Sequence, residues 1–170
     1  LCNLIFLLSN HSLIDSIGLS LYCTNNIINS NLENINVLQV PGSILDQRAL
    51  TYIEKFNLIN KFEIHVRSIF LQGLLATDSS PENINIPKKL KVLLSEYQKI
   101  AIKYNLKPLE LALSFLNHKS ISYRKLLGVN SIDEFCGIIN TLENLPEFPL
   151  DDSDMSKIRC SEQFLDPRNW

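Results

Sequence analysis

Short segments of strand-like sequence alternate along this chain with longer segments in which apolar residues recur every three or four positions. Strands are predicted at residues 15–22, 36–40, 63–66 and 124–128. Helices are predicted at residues 24–35, 46–57 and 88–104, from Pro108 onward, and from Ser131 onward. The last of these opens with a capping box formed by Ser131 and Glu134. Strands that alternate with helices pair in parallel through right-handed crossovers. Because four strands do not close a barrel, the order predicts either a small open α/β sheet or half of a (β/α)8 barrel.

The N-terminal run, LCNLIFLLSNHSLI at residues 1–14, is apolar but is interrupted by Asn3 and by a polar stretch at residues 9–11. It is too short to span a membrane, and it lacks the basic segment and the cleavage site of a signal peptide. Its pattern is that of the end of a buried helix. We therefore expect the chain to be a fragment of a longer fold, with no membrane partner.

Charge and cysteine usage exclude several classes of function. The net charge of -2, without any run of Lys and Arg, argues against a nucleic-acid partner. The 4 cysteines are far apart and none lies in a CxxC or Cys/His cluster, so no metal site is predicted. A chain of this size and apolar content does not need disulfides, and we expect reduced thiols and a cytoplasmic location. The acidic run at residues 151–154 is predicted to be a solvated surface.

The stretch IHVRSIFLQGLL at residues 64–75 points to a ligand site. It begins as a strand and breaks into a polar turn that carries an aromatic residue. This is the layout of a βα-loop, and such loops carry the ligand-binding groups of (β/α) folds. Strand alternation puts His65 and Arg67 on one face and Ile64 and Val66 on the other, which faces the helices. His65 is predicted to be a hydrogen-bonded structural histidine.

Four pieces of the chain, in this order, resemble the C-terminal half of the aldo/keto reductase family. They are IGLSLY at 17–22, NVLQVPGSILDQR at 36–48, IHVRSIFLQGLL at 64–75 and LLGVNSIDEF at 126–135. The helix PLELALSFL at 108–116 resembles the family's helix before its last strand, and the match covers residues 13–142. The chain looks most like the aryl-alcohol-dehydrogenase-like and polysaccharide-cluster members, which also read SLY where typical members read SN. The resemblance implies an α/β fragment, the C-terminal half of a (β/α)8 TIM barrel with about four βα units.

The same resemblance implies an oxidoreductase that reduces a carbonyl with NADPH, or NADH, without metal or flavin. Ser20 matches the serine whose hydroxyl holds the nicotinamide carboxamide, and Gln39 matches the strand-end glutamine that contacts the same group. A primary amide needs both a donor and an acceptor, and a glutamine supplies both. Arg67 stands where many members have a tyrosine that stacks on the nicotinamide.

Phosphate contacts are implied at two further loops. The loop that wraps the pyrophosphate in the family matches Ser68, Phe70 and Gln72. The family's last βα-loop, where backbone N–H groups at a helix start suit a phosphate, matches Gly128, Val129, Asn130 and Ser131. Glu134 stands where a glutamine or arginine is common, and its negative charge is expected to repel a 2′-phosphate.

The family's catalytic Asp, Tyr, Lys and His lie in the first half of its barrel, and no segment here matches them. No catalytic residue is therefore assigned, and we expect the chain alone to be inactive. The resemblance divides the chain into a half barrel at 1–144 and an irregular tail at 145–170, which would form walls for a small carbonyl or alcohol substrate. A half barrel leaves two exposed strand edges, which predicts self-association. The alternative is a non-catalytic nucleotide-binding or scaffold protein that has kept half of the barrel.

Overall fold

The structure is a computed structural model that describes residues 2–22, 32–118, 123–160 and 163–170. The chain forms two compact units. The first unit comprises Leu1–Gly42, Arg48–Arg67 and Ile121–Leu126. The second unit comprises Ser43–Gln47, Ser68–Ser120 and Leu127–Trp170.

The first unit is built on a parallel sheet. Its strands are β1 (Gly18–Ser20), β2 (Val37–Pro41), β3 (Glu63–Arg67) and β4 (Arg124–Lys125). Each strand pairs with the next one along the chain, in the order β1-β2-β3-β4, and all three pairings are parallel. A doubly wound sheet would reverse its strand order at a switch point, whereas a (β/α)8 barrel keeps the chain order. The predicted strands are thus present, although β1 and β4 are shorter than predicted.

The two faces of this sheet differ in polarity because successive side chains of a strand point to opposite sides. Leu38 and Val40 of β2 lie opposite Ile64 and Val66 of β3. All four side chains are at most 1% exposed, so this face is fully covered. On the other face of β3, His65 is only half-buried. The predicted alternation along β3 is confirmed.

A glycine sets how closely α2 (Arg48–Lys55) approaches the sheet. A Cβ atom at Gly42, directly after β2, would lie 2.8 Å from Cγ1 of Val66 and 3.0 Å from Cδ2 of Leu50. Only a residue without a side chain therefore fits between β3 and α2 at this point. The helix predicted at residues 46–57 is present, but it begins and ends two residues inside that range.

The N-terminal segment departs from the prediction of a buried helix. Residues 2–9 do form a helix, α1 (Cys2–Ser9). However, Phe6 is 60% exposed and Leu7 is 67% exposed, so these two side chains are not covered by the part of the chain that the structure describes. The helix predicted at 24–35 lies mostly outside the described residues, and residues 32–35 form a turn.

The second unit is helical. Its helices are α3 (Lys88–Lys103), α4 (Pro108–His118), α5 (Ile132–Glu143) and α6 (Asp152–Ile158). The apolar stripe of α3 is buried as predicted, and the hydroxyl of Tyr97 donates to the backbone oxygens of Leu75, at 3.2 Å, and Pro108. These bonds join α3 to the start of α4 and to the turn before α3.

The tail after residue 144 is more regular than predicted, because α6 packs on α3. Asp154 in α6 is buried, and its carboxylate accepts hydrogen bonds from Lys103 Nζ at 2.5 Å, Lys157 Nζ at 2.7 Å and Tyr104 Oη at 2.8 Å. The prediction of a solvated acidic run was therefore wrong at Asp154, while Asp152 is exposed. Three donors around one carboxylate offset the loss of its hydration.

The Asp154 cluster makes stability depend on pH. Hydrogen bonds from Lys103, Lys157 and Tyr104 hold the pKa of Asp154 well below its ordinary value. A lowered folded-state pKa stabilises the protein above the unfolded pKa of about 3.9, and this stability is lost as pH falls through the folded value. We expect Asp154→Asn to lower the urea concentration at the unfolding midpoint at pH 7. Below pH 4, the midpoint of the variant should fall less steeply with pH than that of the unaltered chain. Circular dichroism measures both. Asp152→Asn is the matched control, and an equal effect of both substitutions would contradict this assignment.

Candidate functional site

A pocket of about 290 Å³ lies on the polar face of the sheet in the first unit. Its walls come from three adjacent strands. The lining residues are Gly18, Leu19, Ser20, Val37, Gln39 and His65. At Gly18 a Cβ atom would lie 2.9 Å from Cβ of Val37, so β1 and β2 approach closely at this end.

Ser20 and Gln39 form one hydrogen-bonded pair in this pocket. They are opposite each other in the register of β1 and β2, and Ser20 Oγ donates to Gln39 Oε1 at 2.9 Å. With the Ser20 proton used in this way, Ser20 Oγ keeps acceptor capacity and the Gln39 amide keeps two N–H donors. If the Gln39 amide were turned over, Ser20 would offer the donor and Gln39 the acceptor. Either arrangement presents one donor and one acceptor side by side.

His65 is the third polar group of the pocket. Its Nε2 lies 2.7 Å from Oε1 of Glu63, and the same carboxylate oxygen contacts Nε of Arg124 in β4. The hydrogen bond from His65 and the charge of Arg124 lower the pKa of Glu63. An ionised Glu63 accepts the Nε2 proton of His65 and so orients the imidazole ring. The prediction of a hydrogen-bonded histidine is confirmed, but its partners were not foreseen.

Arg67 is the last residue of β3 and lies on the same face as His65. Its guanidinium carbon lies 4.2 Å from the centroid of the Tyr22 ring, and its Nη2 donates to the backbone oxygen of Leu21 at 3.3 Å. The guanidinium thus stacks on an aromatic side chain of this chain itself. Sequence reasoning missed this contact, because Tyr22 follows β1 and Arg67 ends β3, and these two strands are not neighbours in the sheet.

The loop that follows Arg67 belongs to the second unit and holds several residues in the left-handed backbone region. Ser68 has φ 58°, Leu71 φ 46°, Gln72 φ 58° and Gly73 φ 86°. The turn is closed by hydrogen bonds from Leu71 N to Ser68 O at 2.9 Å and from Leu75 N to Phe70 O at 3.0 Å. Gln72 is exposed and Phe70 is half-buried.

The start of α5 is capped by its own side chains. Ser131 Oγ accepts from Glu134 N at 3.1 Å, as the predicted capping box requires. The carboxylate of Glu134 accepts from Asn130 N at 2.7 Å. A carboxylate therefore occupies part of the backbone N–H cradle that was predicted to suit a phosphate. Gly128, before this loop, is exposed, and a Cβ atom there would meet nothing within 4 Å.

The ten predicted cofactor residues are divided between the units. Ser20 and Gln39 are in direct contact, and Arg67 ends a strand of the same sheet. The other seven lie in the second unit, in two loops and in the first turn of α5: Ser68, Phe70, Gln72, Gly128, Asn130, Ser131 and Glu134. All ten stay predictions as cofactor contacts.

The described ranges lack two further features. They contain no group of three or more His, Cys, Asp or Glu side chains that could hold a metal ion. Within the same ranges, no helix has the length and apolar character needed to cross a membrane.

Comparison with known proteins establishes the fold. No protein-family model matches the chain, and no curated protein sequence matches it. Among solved structures, it is similar to aldo-keto reductase AKR11C1 from Bacillus halodurans in the apo and the holo form, each with TM-score 0.69 and 21% sequence identity. The match covers 96% of this chain but only 59% of the apo chain and 58% of the holo chain. The predicted fold, an α/β chain corresponding to part of an aldo/keto reductase barrel, is confirmed.

Substitutions in the loop at residues 68–75 test whether its backbone is strained. A residue with a side chain pays about 1–2 kcal/mol in the left-handed region, partly offset by the greater unfolded-state entropy of glycine. Gln72→Gly should therefore stabilise the protein by about 0.5–1 kcal/mol, and Gly73→Ala should destabilise it by a similar amount. Urea unfolding measures both.

Gly128→Ala is the control for this pair, since its site is equally open but its φ is not positive. Loss of stability in Gly128→Ala as large as in Gly73→Ala would show that backbone strain is not the cause.

Proposed function

We propose that this chain supplies the cofactor-binding part of an NAD(P)H-dependent carbonyl reductase of the aldo/keto reductase type. The observation that carries the proposal is the hydrogen-bonded pair of Ser20 and Gln39 on the face of the parallel sheet. The likeness of the fold to part of an aldo-keto reductase supports it, as do the sequence pieces that resemble the family.

The donor and acceptor set of this pocket fits a nicotinamide carboxamide. That group has an NH₂ that donates and a carbonyl oxygen that accepts, and the Ser20–Gln39 pair offers the complement of both. Both side chains are on strands rather than on loops, and the bond between them fixes their positions before a ligand arrives. Such preorganisation lowers the ordering cost of binding.

His65 and Arg67 have supporting roles in the proposed site. His65, oriented by Glu63, borders the same pocket and offers a second hydrogen-bonding nitrogen. Arg67 is held against Tyr22 and Leu21 at the C-terminal end of β3, two residues after His65, and we assign to this flat pair a place beside the bound ring. A ring bound by its carboxamide would be restricted in orientation between these groups, which is a positioning effect on any reaction.

The reaction itself also needs a hydride donor and a proton donor, which these residues do not supply. When bound, the cofactor supplies a hydride for a carbonyl carbon of a small-molecule substrate. The new alkoxide must receive a proton, and in the family this comes from the tyrosine of the first barrel half. The function proposed for this chain is to hold one face of the nicotinamide toward that carbonyl while the complementary half provides the acid.

A second candidate is a dinucleotide-binding or scaffold protein without turnover. It is favoured by the pairing of three titratable side chains on the polar sheet face. Among the described residues, His65 and Arg124 both bond to Glu63. The two candidates differ in one assay. Oxidation of NADPH in the presence of an aldehyde, on addition of a complementary half barrel, indicates the reductase; binding without turnover indicates the second candidate.

Cofactor binding by the purified chain tests the shared part of both candidates. NADPH and NADH fluorescence should rise on titration with the chain. Gln39→Ala should weaken binding by about two- to twelvefold, because one hydrogen bond is worth about 0.5–1.5 kcal/mol. Ser20→Ala should act in the same direction, and the double variant should lose less than the sum of the two, since the residues form one pair.

Two substitutions serve as matched controls for this titration. Ser16→Ala changes an exposed serine just before β1, and Gln98→Ala changes a glutamine of α3 that bonds to the backbone oxygens of Thr77 and Ser79. Both should bind the dinucleotides like the unaltered chain. If the chain binds neither dinucleotide, or if Gln39→Ala and Gln98→Ala are equally affected, the assignment of the pocket is wrong.

A further inference from the structure

The two edges of the sheet carry backbone groups that point away from it. In β1, the carbonyl of Ile17 and the N–H of Leu21 bond to β2, so the N–H and C=O groups of Gly18 and Ser20 face the outer edge. In β4, the N–H of Leu126 bonds to the carbonyl of Val66, so the groups of Lys125 face outward. Within the residues that the structure describes, these outward groups have no strand partner.

The segment that leads into β1 exposes large apolar side chains. Phe6 is 60% exposed, Leu7 67% and Leu13 86%. Exposed apolar side chains of this size are available for contact with a partner. The two edges also differ in charge. In β4, Arg124 is paired with Glu63 but Lys125 is exposed, whereas the segment before β1 carries the exposed Asp15.

The number and the direction of the strands determine which partner can pair with these two edges. All strands of the sheet are parallel, so a rotation of 180° about an axis along the strands keeps their direction. Such a rotation brings β1 of one copy beside β4 of another, and at the same time β4 of the first beside β1 of the second. Four strands from each copy give eight, the number at which a parallel barrel closes without an edge.

We propose that this chain, in the absence of a complementary half, forms a closed twofold dimer in which two sheets join edge to edge as an eight-stranded parallel barrel. The basic β4 edge of each copy then meets the acidic approach to β1 of the other. The polar face with Gln39 and His65 becomes the interior of the barrel. This inference goes beyond the proposed function and does not depend on cofactor binding.

Sedimentation equilibrium of the full chain tests the closed state. The expected mass is twice 19.4 kDa, with no larger species as the concentration rises, because closure leaves no free edge. A monomer across the micromolar range, or a continuous series of larger species, would overturn the proposal.

Lys125→Pro removes the outward N–H of β4 while the bond from Leu126 to Val66 remains. It should weaken dimerisation at least tenfold, whereas Lys125→Thr, which keeps the N–H, should not. Circular dichroism checks that the Lys125→Pro chain is folded. A Lys125→Pro dimer as tight as that of Lys125→Thr would contradict edge pairing.

Hydrogen exchange of the unaltered chain gives a measurement that does not require a variant. In the dimer, the outward amides of Gly18, Ser20 and Lys125 should exchange as slowly as the inward amides of Leu21 and Leu126. On dilution to monomer, the protection of the outward amides should be lost first. Outward amides that exchange rapidly in a dimeric sample would show that the copies associate elsewhere.

Discussion

The parallel pairing of β2 with β3 is the constraint on which the sheet and its polar face depend. Leu38 lies against Ile64 and Val40 against Val66, all with at most 1% exposure. Full burial of one such side chain is worth about 1.5–3 kcal/mol. A shift of register by one residue would turn every one of them to the opposite face, so burial fixes the register. That register in turn carries Gln39 to a position beside His65.

The polar face is thus a consequence of apolar burial on the other side. Of its side chains, Gln39 and His65 are half-buried, and the others named here are exposed. They bond to one another: Ser20 with Gln39, and His65 and Arg124 with Glu63. A half-buried polar group without a partner would cost free energy, whereas a bonded pair holds its remaining donors and acceptors in fixed positions. The Ser20–Gln39 pair therefore presents a donor and an acceptor in fixed positions, as the proposed carboxamide contact requires.

Local and long-range interactions behave differently in the second unit. The cap of α5 follows from four consecutive residues, and Ser131 with Glu134 was predicted from their spacing alone. The order of the tail depends instead on Asp154 and Lys103, which are 51 residues apart. An acidic run without a visible partner looks like solvated surface, and only packing of α6 on α3 supplies the cations that bury one of its carboxylates. The exposed apolar residues of α1 show the converse, since an apolar helix pattern does not say whether anything covers it.

The sequence by itself determined the elements whose signals are periodic or local: the alternation of strands and helices, the two faces of β3, the capped start of α5, and the pieces that resemble aldo/keto reductases. Hydrophobic period, turn residues and cap spacing act within a few residues, so they can be read along the chain. Only the tertiary structure decided the distant partners: Gln39 for Ser20, Tyr22 for Arg67, and Arg124 for the Glu63 carboxylate that also bonds His65. Such contacts join residues far apart in sequence, and they form only where the register of a buried sheet brings those residues to one face.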